Sequence, residues 1–365
     1  MSQFRVVPSI TMYDTFATFC TSFEVGARDL ILTDRVLYEM YLSGVRCAGI
    51  LIEDDYGAGE PDDKKVSQIL LAARKISYDR VIAVGGGSVM DIGKLLSLAQ
   101  TPGMLENLVA VFERNIPVVR EKTLVLLPTT CGTGSEITNI SVCSFPALGT
   151  KIGLADDALY ADHAVLVSEL ISSLPMRVFM DSSTDALIHA IESFLSPKAN
   201  IWTQMFSVRA IAHIVSGYRH IQQNGADSRS TLLGDFLSAS AMAGIAFSNA
   251  GCGLIHAMSY PIGANYHLPH GASNYEVMMA VLRFYKDKAP GGTMTTLCDL
   301  VSGLDTLEAL LSSLSPRRPM RTYGMDEAAA DAFAKDVIEH QQRLLANCYI
   351  PVTQSEIAQI YRAIL

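Results

Sequence analysis

The chain has 365 residues, 49% of them hydrophobic and 18% charged, which is enough for two buried cores and excludes a disordered chain. A formal net charge of -9 excludes a broad basic surface that would displace counterions from nucleic acid, so a small-molecule partner is expected. The start, MSQFRVVPSITMYDTF, has no basic segment followed by an apolar run. Cys20, Cys47, Cys131, Cys143, Cys252, Cys298 and Cys348 are scattered, odd in number and free of C-x-x-C spacing, so reduced thiols and a cytoplasmic protein are expected.

Short β-rich runs recur through the first half: DLILTD (29–34), AGILIE (48–53), RVIAVGG (80–86) and TLVLLPTT (123–130). They alternate with helical stretches such as DKKVSQILLAARKI and MDIGKLLSLA, a pattern that predicts a parallel sheet flanked by helices. A smaller cluster, SVCSF, KIGLA and HAVLV, continues to about Val167. From Pro175 onward helical periodicity takes over, punctuated around Pro261, Gly291 and Pro316. The expected organisation is a Rossmann-like α/β dinucleotide-binding domain over residues 1–177 and an all-α metal-binding domain over 178–365, with the boundary near Ser173–Asp181. No Asp, Glu, Lys or Arg occurs between Asp235 and Glu276, and SASAMAGIAFSNAGCGLIHAMSYPIGA is apolar enough to suggest a membrane span. Its Gly, Ala, Ser and Asn content, with His256, reads instead as closely packed buried helices around a polar site.

The turn after the third strand run, Gly85-Gly86-Gly87-Ser88, lets backbone approach a ligand and aims helix N–H groups at an anion such as a pyrophosphate. A tight structural turn, with Ser88 as N-cap and Asp91 completing a capping box, explains the same residues. Pro128-Thr129-Thr130-Cys131-Gly132-Thr133-Gly134-Ser135-Glu136 gathers hydroxyls and glycines at the carboxyl end of another strand, where ligands collect. Asp34 ends ILTD, where a carboxylate can accept bonds from a ribose diol and repel a 2′-phosphate, favouring NAD over NADP; a solvated Asp starting the next helix is the alternative.

Asp185 and His189 are four residues apart in DSSTDALIHAIESFLSP, a stretch that opens on capping residues and ends before a proline, so their side chains share one helix face. With His256 in GLIHAMSYPIG and His270 in HLPHGAS they make three nitrogens and one oxygen, a donor set for divalent iron, zinc, nickel or copper that leaves a position for substrate. Any one of these histidines alone would read as a hydrogen-bonded core residue. Glu192, one turn further, suits either a partner to a ligand or an exposed salt bridge. His267 is a candidate acid/base group or a partner for an anionic substrate, and equally a surface turn residue; His163, His213, His220 and His340 have no comparable context.

GGGSVMDIGK, PTTCGTGSEITN, DALIHAIES and GLIHAMSYPIGANYHLPHGASN resemble, in order and spacing, the signatures of the iron-containing (group III) alcohol dehydrogenase family over almost the whole chain. The resemblance implies the dehydroquinate synthase-like two-domain fold, a homo-oligomer, and Asp185, His189, His256 and His270 as ligands to iron, with zinc a possible substitute. It also implies that Gly85, Gly86, Gly87 and Ser88 take the pyrophosphate, that Asp91 lies near the nicotinamide, and that Thr129, Thr130, Thr133 and Lys151 contact the nucleotide. Two positions depart from the family pattern. Tyr260 stands where many members carry a histidine proposed to assist proton transfer, which makes His267 the substitute candidate, and Glu60 stands where relatives have asparagine.

GEPDDKKV, LPTTCGTGSE, YPIGANYHLPHG and IEHQQRLLANCY are most similar to members that interconvert 4-hydroxybutyrate and succinate semialdehyde. That substrate needs a cation for its distal carboxylate, for which Arg318, Arg321 and Arg343 are candidates, with His267 if protonated. A relative acting on a short uncharged alcohol or diol would need no such cation. A carbohydrate-phosphate cyclase using NAD and a metal would need more Lys and Arg near the metal helix than the sequence offers.

Overall fold

β2 (Asp29–Thr33), β4 (Arg80–Gly85) and β5 (Thr123–Pro128) form where leucine, isoleucine and valine run almost without interruption, as expected of strands covered on both faces. The computed structural model describes residues 4–57, 59–148 and 150–365; Met1–Gln3, the first residues of MSQFRVVPSITMYDTF, lie outside them. With β1 (Ser9–Tyr13), β3 (Gly49–Ile52) and β8 (His163–Val167) these strands make a six-stranded sheet in the order β1-β8-β5-β4-β2-β3, parallel throughout. The SVCSF and KIGLA runs do not join it. They pair with each other as an antiparallel hairpin, β6 (Ile140–Phe145) with β7 (Thr150–Ala155). β1 escaped the sequence reading because it is an edge strand with little burial, so SITMY lacks the apolar run of its neighbours.

Side chains alternate along the central strands into two cores. Leu30, Leu32, Val81, Ala83, Leu124 and Leu126 pack with Val66, Ile69, Met90 and Ile92 of the helices Asp63–Ala73 and Gly87–Leu96. Ile31, Ile82, Val84, Val125 and Leu127 pack with Phe16, Phe19, Leu37 and Leu42. Each such side chain contributes about 1.5–3 kcal/mol on burial.

Strand order decides what lies together at the carboxyl edge. β2 runs out to β3 on one side and β4 returns on the other, so the order reverses between β2 and β4, the place where open parallel sheets bind ligands. Thr33 pairs with Val84 and Gly85 with Pro128. Asp34, the Gly85–Ser88 turn and the Thr129–Thr130 loop therefore leave three adjacent strands at the same edge.

The second unit holds Leu174–Leu365 together with Phe4, Arg5 and Cys131–Thr133, whereas Val6–Thr130 and Gly134–Ser173 belong to the sheet unit. Its central helices are Met176–Leu195, Ile201–Asn224, Leu233–Ala250, Leu254–Tyr266 and His270–Lys288. The first starts directly after Pro175, so the expected capping residues at DSST lie inside it. There Ser183 and Thr184 are buried and bond the Tyr218 hydroxyl at 2.8 and 3.1 Å. Pro261, expected as punctuation, sits within the helix Leu254–Tyr266. Among the described residues no single helix is long and apolar enough to cross a membrane, and the pair Leu233–Ala250 and Leu254–Tyr266 is bent by 106°. All seven cysteines are unpaired thiols.

Candidate metal centre and nucleotide loop

Helix spacing brings Asp185 and His189 onto one face of Met176–Leu195, the first turn of Leu254–Tyr266 supplies His256, and His270 opens the helix His270–Lys288. One donor atom from each of the four lies within 4.8 Å of the other three. Asp185, His189 and His256 are 2%, 5% and 3% exposed, while the His270 side chain is 42% exposed and marks the open edge of the cluster. Close backbone approach makes this possible at Gly271, where a Cβ would stand 2.2 Å from the Asp181 carbonyl oxygen.

Two partners behind the cluster fix which nitrogen each ring presents. Glu192 is buried rather than exposed, and its carboxylate accepts from Gly253 N at 3.0 Å, Ile255 N at 2.6 Å and His256 Nδ1 at 2.6 Å. His189 Nδ1 donates to the Gly132 carbonyl at 3.2 Å. A carbonyl only accepts, so in a neutral ring His189 Nε2 carries a lone pair, and the carboxylate imposes the same tautomer on His256. Those two Nε2 atoms are 3.0 Å apart. Two facing lone pairs at that distance repel unless a proton or a metal cation lies between them. Asn274, fully buried, donates to Asp185 Oδ1 at 2.7 Å and lies 3.2 Å from Nε2 of both His256 and His270, while its Oδ1 has no hydrogen-bond partner.

The electrostatics agree with the geometry. Burial opposes ionisation of Asp185, yet the three imidazoles and Asn274 outweigh it and hold the carboxyl below its usual range. Burial likewise opposes charge on His189 and His256, but Asp185 and Cys252 for the first, and Cys252 and Glu192 for the second, turn both pKa values upward. The pocket is built to hold positive charge. Three imidazole nitrogens and one carboxylate fit a divalent first-row metal and leave room for a further ligand. Cys252, which the spacing of the cysteines did not single out, has its Sγ within 4.8 Å of donor atoms of Glu192 and His256.

In the sheet unit, Gly85 packs so tightly that a Cβ would meet Val89 at 2.4 Å. The N-cap of the following helix is Gly86, without a side-chain cap, so Ser88 lies in the first turn and the expected capping box with Asp91 does not form. Asp91 has another task. Its Oδ1 accepts from Ser135 Oγ at 2.6 Å and Lys94 Nζ at 3.3 Å, and its Oδ2 from Val142 N at 2.9 Å. Both oxygens strap the glycine-loop helix to Ser135 and the start of β6. Lys94, fully buried, completes the strap through Ser135 Oγ at 2.6 Å and Ile140 O at 2.5 Å. Beside it Glu136 is 1% exposed; burial, only partly offset by its own backbone N–H and Lys94, pushes its carboxyl up to about 7.

Asp34 caps the next helix through Leu37 N at 2.9 Å and is half-buried, which raises its pKa. Thr129 N donates to Gly85 O at 3.0 Å, and the buried Thr130 Oγ1 has no partner. Thr133 belongs to the helical unit. Lys151 and Glu60 form an exposed ion pair. His267 is an exposed C-cap in the left-handed region, φ 53°, and is not among the clustered donors; Tyr260 stands beside His270 instead, ring centroids 6.2 Å apart. Arg321 pairs with Glu327 at 3.6 Å, and Arg318 is exposed.

Residues 13–168 match the profile of iron-containing alcohol dehydrogenase, and residues 179–365 that of the Fe-containing alcohol dehydrogenase family, C-terminal. The chain is 44% identical over 372 residues to 4-hydroxybutyrate dehydrogenase of Clostridium kluyveri, covering 99% of each. It is 32% identical to long-chain-alcohol dehydrogenase 1 of Geobacillus thermodenitrificans over 83% of this chain and 79% of that one. The fold is similar to that of sulfoacetaldehyde reductase from Bifidobacterium kashiwanohense in complex with NAD+, with a TM-score of 0.86 at 19% identity over 100% and 98% of the two chains. It is also similar to 1,3-propanediol oxidoreductase, with a TM-score of 0.82 at 22% identity over both full chains. Motifs, donor geometry and full-length similarity agree, and the chain belongs to the iron-containing alcohol dehydrogenase family.

Proposed function

We propose that the protein interconverts 4-hydroxybutyrate and succinate semialdehyde with NAD, using one divalent metal, Fe(II) with Zn(II) as a substitute, held by Asp185, His189, His256 and His270. The convergence of those four donors carries the chemistry, in a chain 44% identical from end to end to a 4-hydroxybutyrate dehydrogenase. A bound divalent ion supplies Lewis acidity, which lowers the pKa of an alcohol and polarises an aldehyde carbonyl. Bound NAD supplies the hydride acceptor.

The chain's own residues do the rest. Glu192 and Gly132 O keep His256 and His189 in the tautomer that directs Nε2 inward. In the sheet unit the turn Gly85–Ser88 is assigned the pyrophosphate, Thr129 and Thr130 the neighbouring nucleotide atoms, and Asp34 the ribose diol, a reading supported by their position at adjacent carboxyl ends of the sheet. Thr133 and Lys151 are assigned further nucleotide contacts. His267, exposed three residues before His270, is assigned the transfer of the alcohol proton to solvent. The seven unpaired thiols favour a reducing, cytoplasmic setting. The family match favours oxidoreduction over the ring-closing lyase reading.

Metal-reconstituted protein should reduce NAD with 4-hydroxybutyrate, and should oxidise NADH with succinate semialdehyde. Absence of both reactions with Fe(II)- and Zn(II)-loaded protein would overturn the proposal.

A further inference from the structure

The open edge of the metal cluster has a chemistry of its own. His270 is the exposed ligand, and a substrate reaching the cluster from that side meets Tyr260, which lies one turn after His256 on the same helix face. The Tyr260 ring centroid is 6.2 Å from that of His270, and the residue is 39% exposed. The short helix Gln342–Leu345 packs against the helix carrying Tyr260 and brings Arg343. Its place is fixed by the buried Asn347, whose Nδ2 donates to the Arg343 carbonyl at 3.3 Å and to the Cys252 carbonyl at 3.0 Å, on the backbone leading into His256.

Arg343 is exposed, and among the described residues its guanidinium makes no hydrogen bond or ion pair. Two other arginines are already spent. Arg317 donates to the carbonyls of Tyr275 and Glu276 at 2.9 Å and pairs with Glu308 at 3.2 Å, and Arg321 is paired with Glu327.

We propose that Arg343, with the Tyr260 hydroxyl, forms an anion subsite that receives the distal carboxylate of an ω-hydroxy acid whose alcohol end is held at the metal cluster. The inference rests on the reading of that cluster as the alcohol site. An extended four-carbon hydroxy acid spans about 6 Å between its terminal oxygens, from C–C bonds of about 1.5 Å, so with its alcohol at the cluster its carboxylate extends past His270 toward the neighbouring Tyr260 ring. A planar guanidinium fork suits a carboxylate and a phenol supplies a further donor. Tyr260, at the position where relatives carry a proton-transfer histidine, thereby gains a role in substrate selection. The chemical class follows: ω-hydroxy acids and ω-oxo acids of about four carbons, in preference to the matching uncharged alcohols.

The test compares Arg343→Gln, Arg343→Lys and Tyr260→Phe with the unmodified enzyme, reading the ratio of kcat/KM for 4-hydroxybutyrate to that for 1-butanol. Binding of succinate, an unreactive dicarboxylate, is measured in parallel by calorimetry on metal-loaded protein. Arg343→Gln should lower the ratio by on the order of 100-fold and weaken succinate by at least about tenfold, the size expected when one partner of a charged contact is truncated. Arg343→Lys should lose about tenfold because it keeps the charge without the fork. An unchanged ratio together with unchanged succinate binding would overturn the subsite. If the unmodified enzyme oxidised neither alcohol, the proposed function would fall, and succinate binding would still report on the subsite separately.

Discussion

Removing the Glu192 carboxylate should weaken metal binding and stability together, because one buried group serves both. Its oxygens accept three hydrogen bonds, from Gly253 N, Ile255 N and His256 Nδ1, at 3.0, 2.6 and 2.6 Å. Hydrogen bonds to a charged group contribute about 1.5–3 kcal/mol each, so Glu192→Ala removes about 4.5–9 kcal/mol if the three act independently. Glu192→Gln is milder. Oε1 serves Ile255 alone while Oε2 serves the other two donors, so a glutamine that turns its amide nitrogen to the Oε1 side loses one bond, about 1.5–3 kcal/mol. In Glu192→Ala, by contrast, His256 is free to rotate or change tautomer, and partners of this kind change metal affinity by about 10–100-fold. The assay is competition with a chromogenic chelator on Fe(II)- and Zn(II)-loaded protein, with urea unfolding of the metal-free forms alongside. Wild-type affinity and wild-type stability in Glu192→Ala would mean that Glu192 neither holds His256 nor supports the fold there.

Asp34→Gly should improve kcat/KM with NADP relative to NAD by on the order of tenfold or more, since a like charge beside the 2′-phosphate is removed, at a capping cost of only a few tenths of a kcal/mol; an unchanged cofactor ratio would mean that Asp34 does not read the ribose. Gly271→Ala places a Cβ 2.2 Å from Asp181 O and 3.3 Å from Asp185 Cβ, so overpacking should cost about 1–3 kcal/mol and shift His270 away from Asp185. Chelator competition should then show at least about tenfold weaker metal binding. Glu136 gives a pH prediction. Its carboxyl rises from the ordinary 4.5 to about 7 in the fold, so the folded state binds the proton more tightly than the unfolded chain. Its contribution is fully present below about 4.5 and is lost as pH rises through about 7, a change of about 3 kcal/mol. Glu136→Gln should therefore be less sensitive to pH between 5 and 8 than the parent in urea titrations, and identical slopes would contradict that account.

The four clustered donors were legible because two share a helix face and the others lie in histidine–glycine contexts, and the parallel sheet because its buried strands are continuous apolar runs. Residues whose work depends on tertiary contacts were harder to read. Glu192 in ALIHAIES looks like an ordinary polar helix position, and only the return of Gly253–His256 onto it turns it into a triple acceptor. Asp91 follows a glycine-rich turn, and its oxygens are taken by Ser135, Lys94 and Val142, the first more than forty residues away in sequence. Asn274 is four residues after His270, a spacing that places both on one helix face and could have flagged it. Nothing in the sequence pairs Lys151 with Glu60, since that contact depends on where the β6–β7 hairpin lies.

Asp185, His189, His256 and His270 are expected to hold one divalent metal on which alcohol oxidation depends. Metal stoichiometry by plasma mass spectrometry, measured with NADH formation from 4-hydroxybutyrate on the same preparations, tests it most directly. About one metal per chain is expected in the active protein, with His189→Ala losing metal and turnover together. Full turnover by metal-free protein, or by a His189→Ala variant that binds no metal, would contradict it.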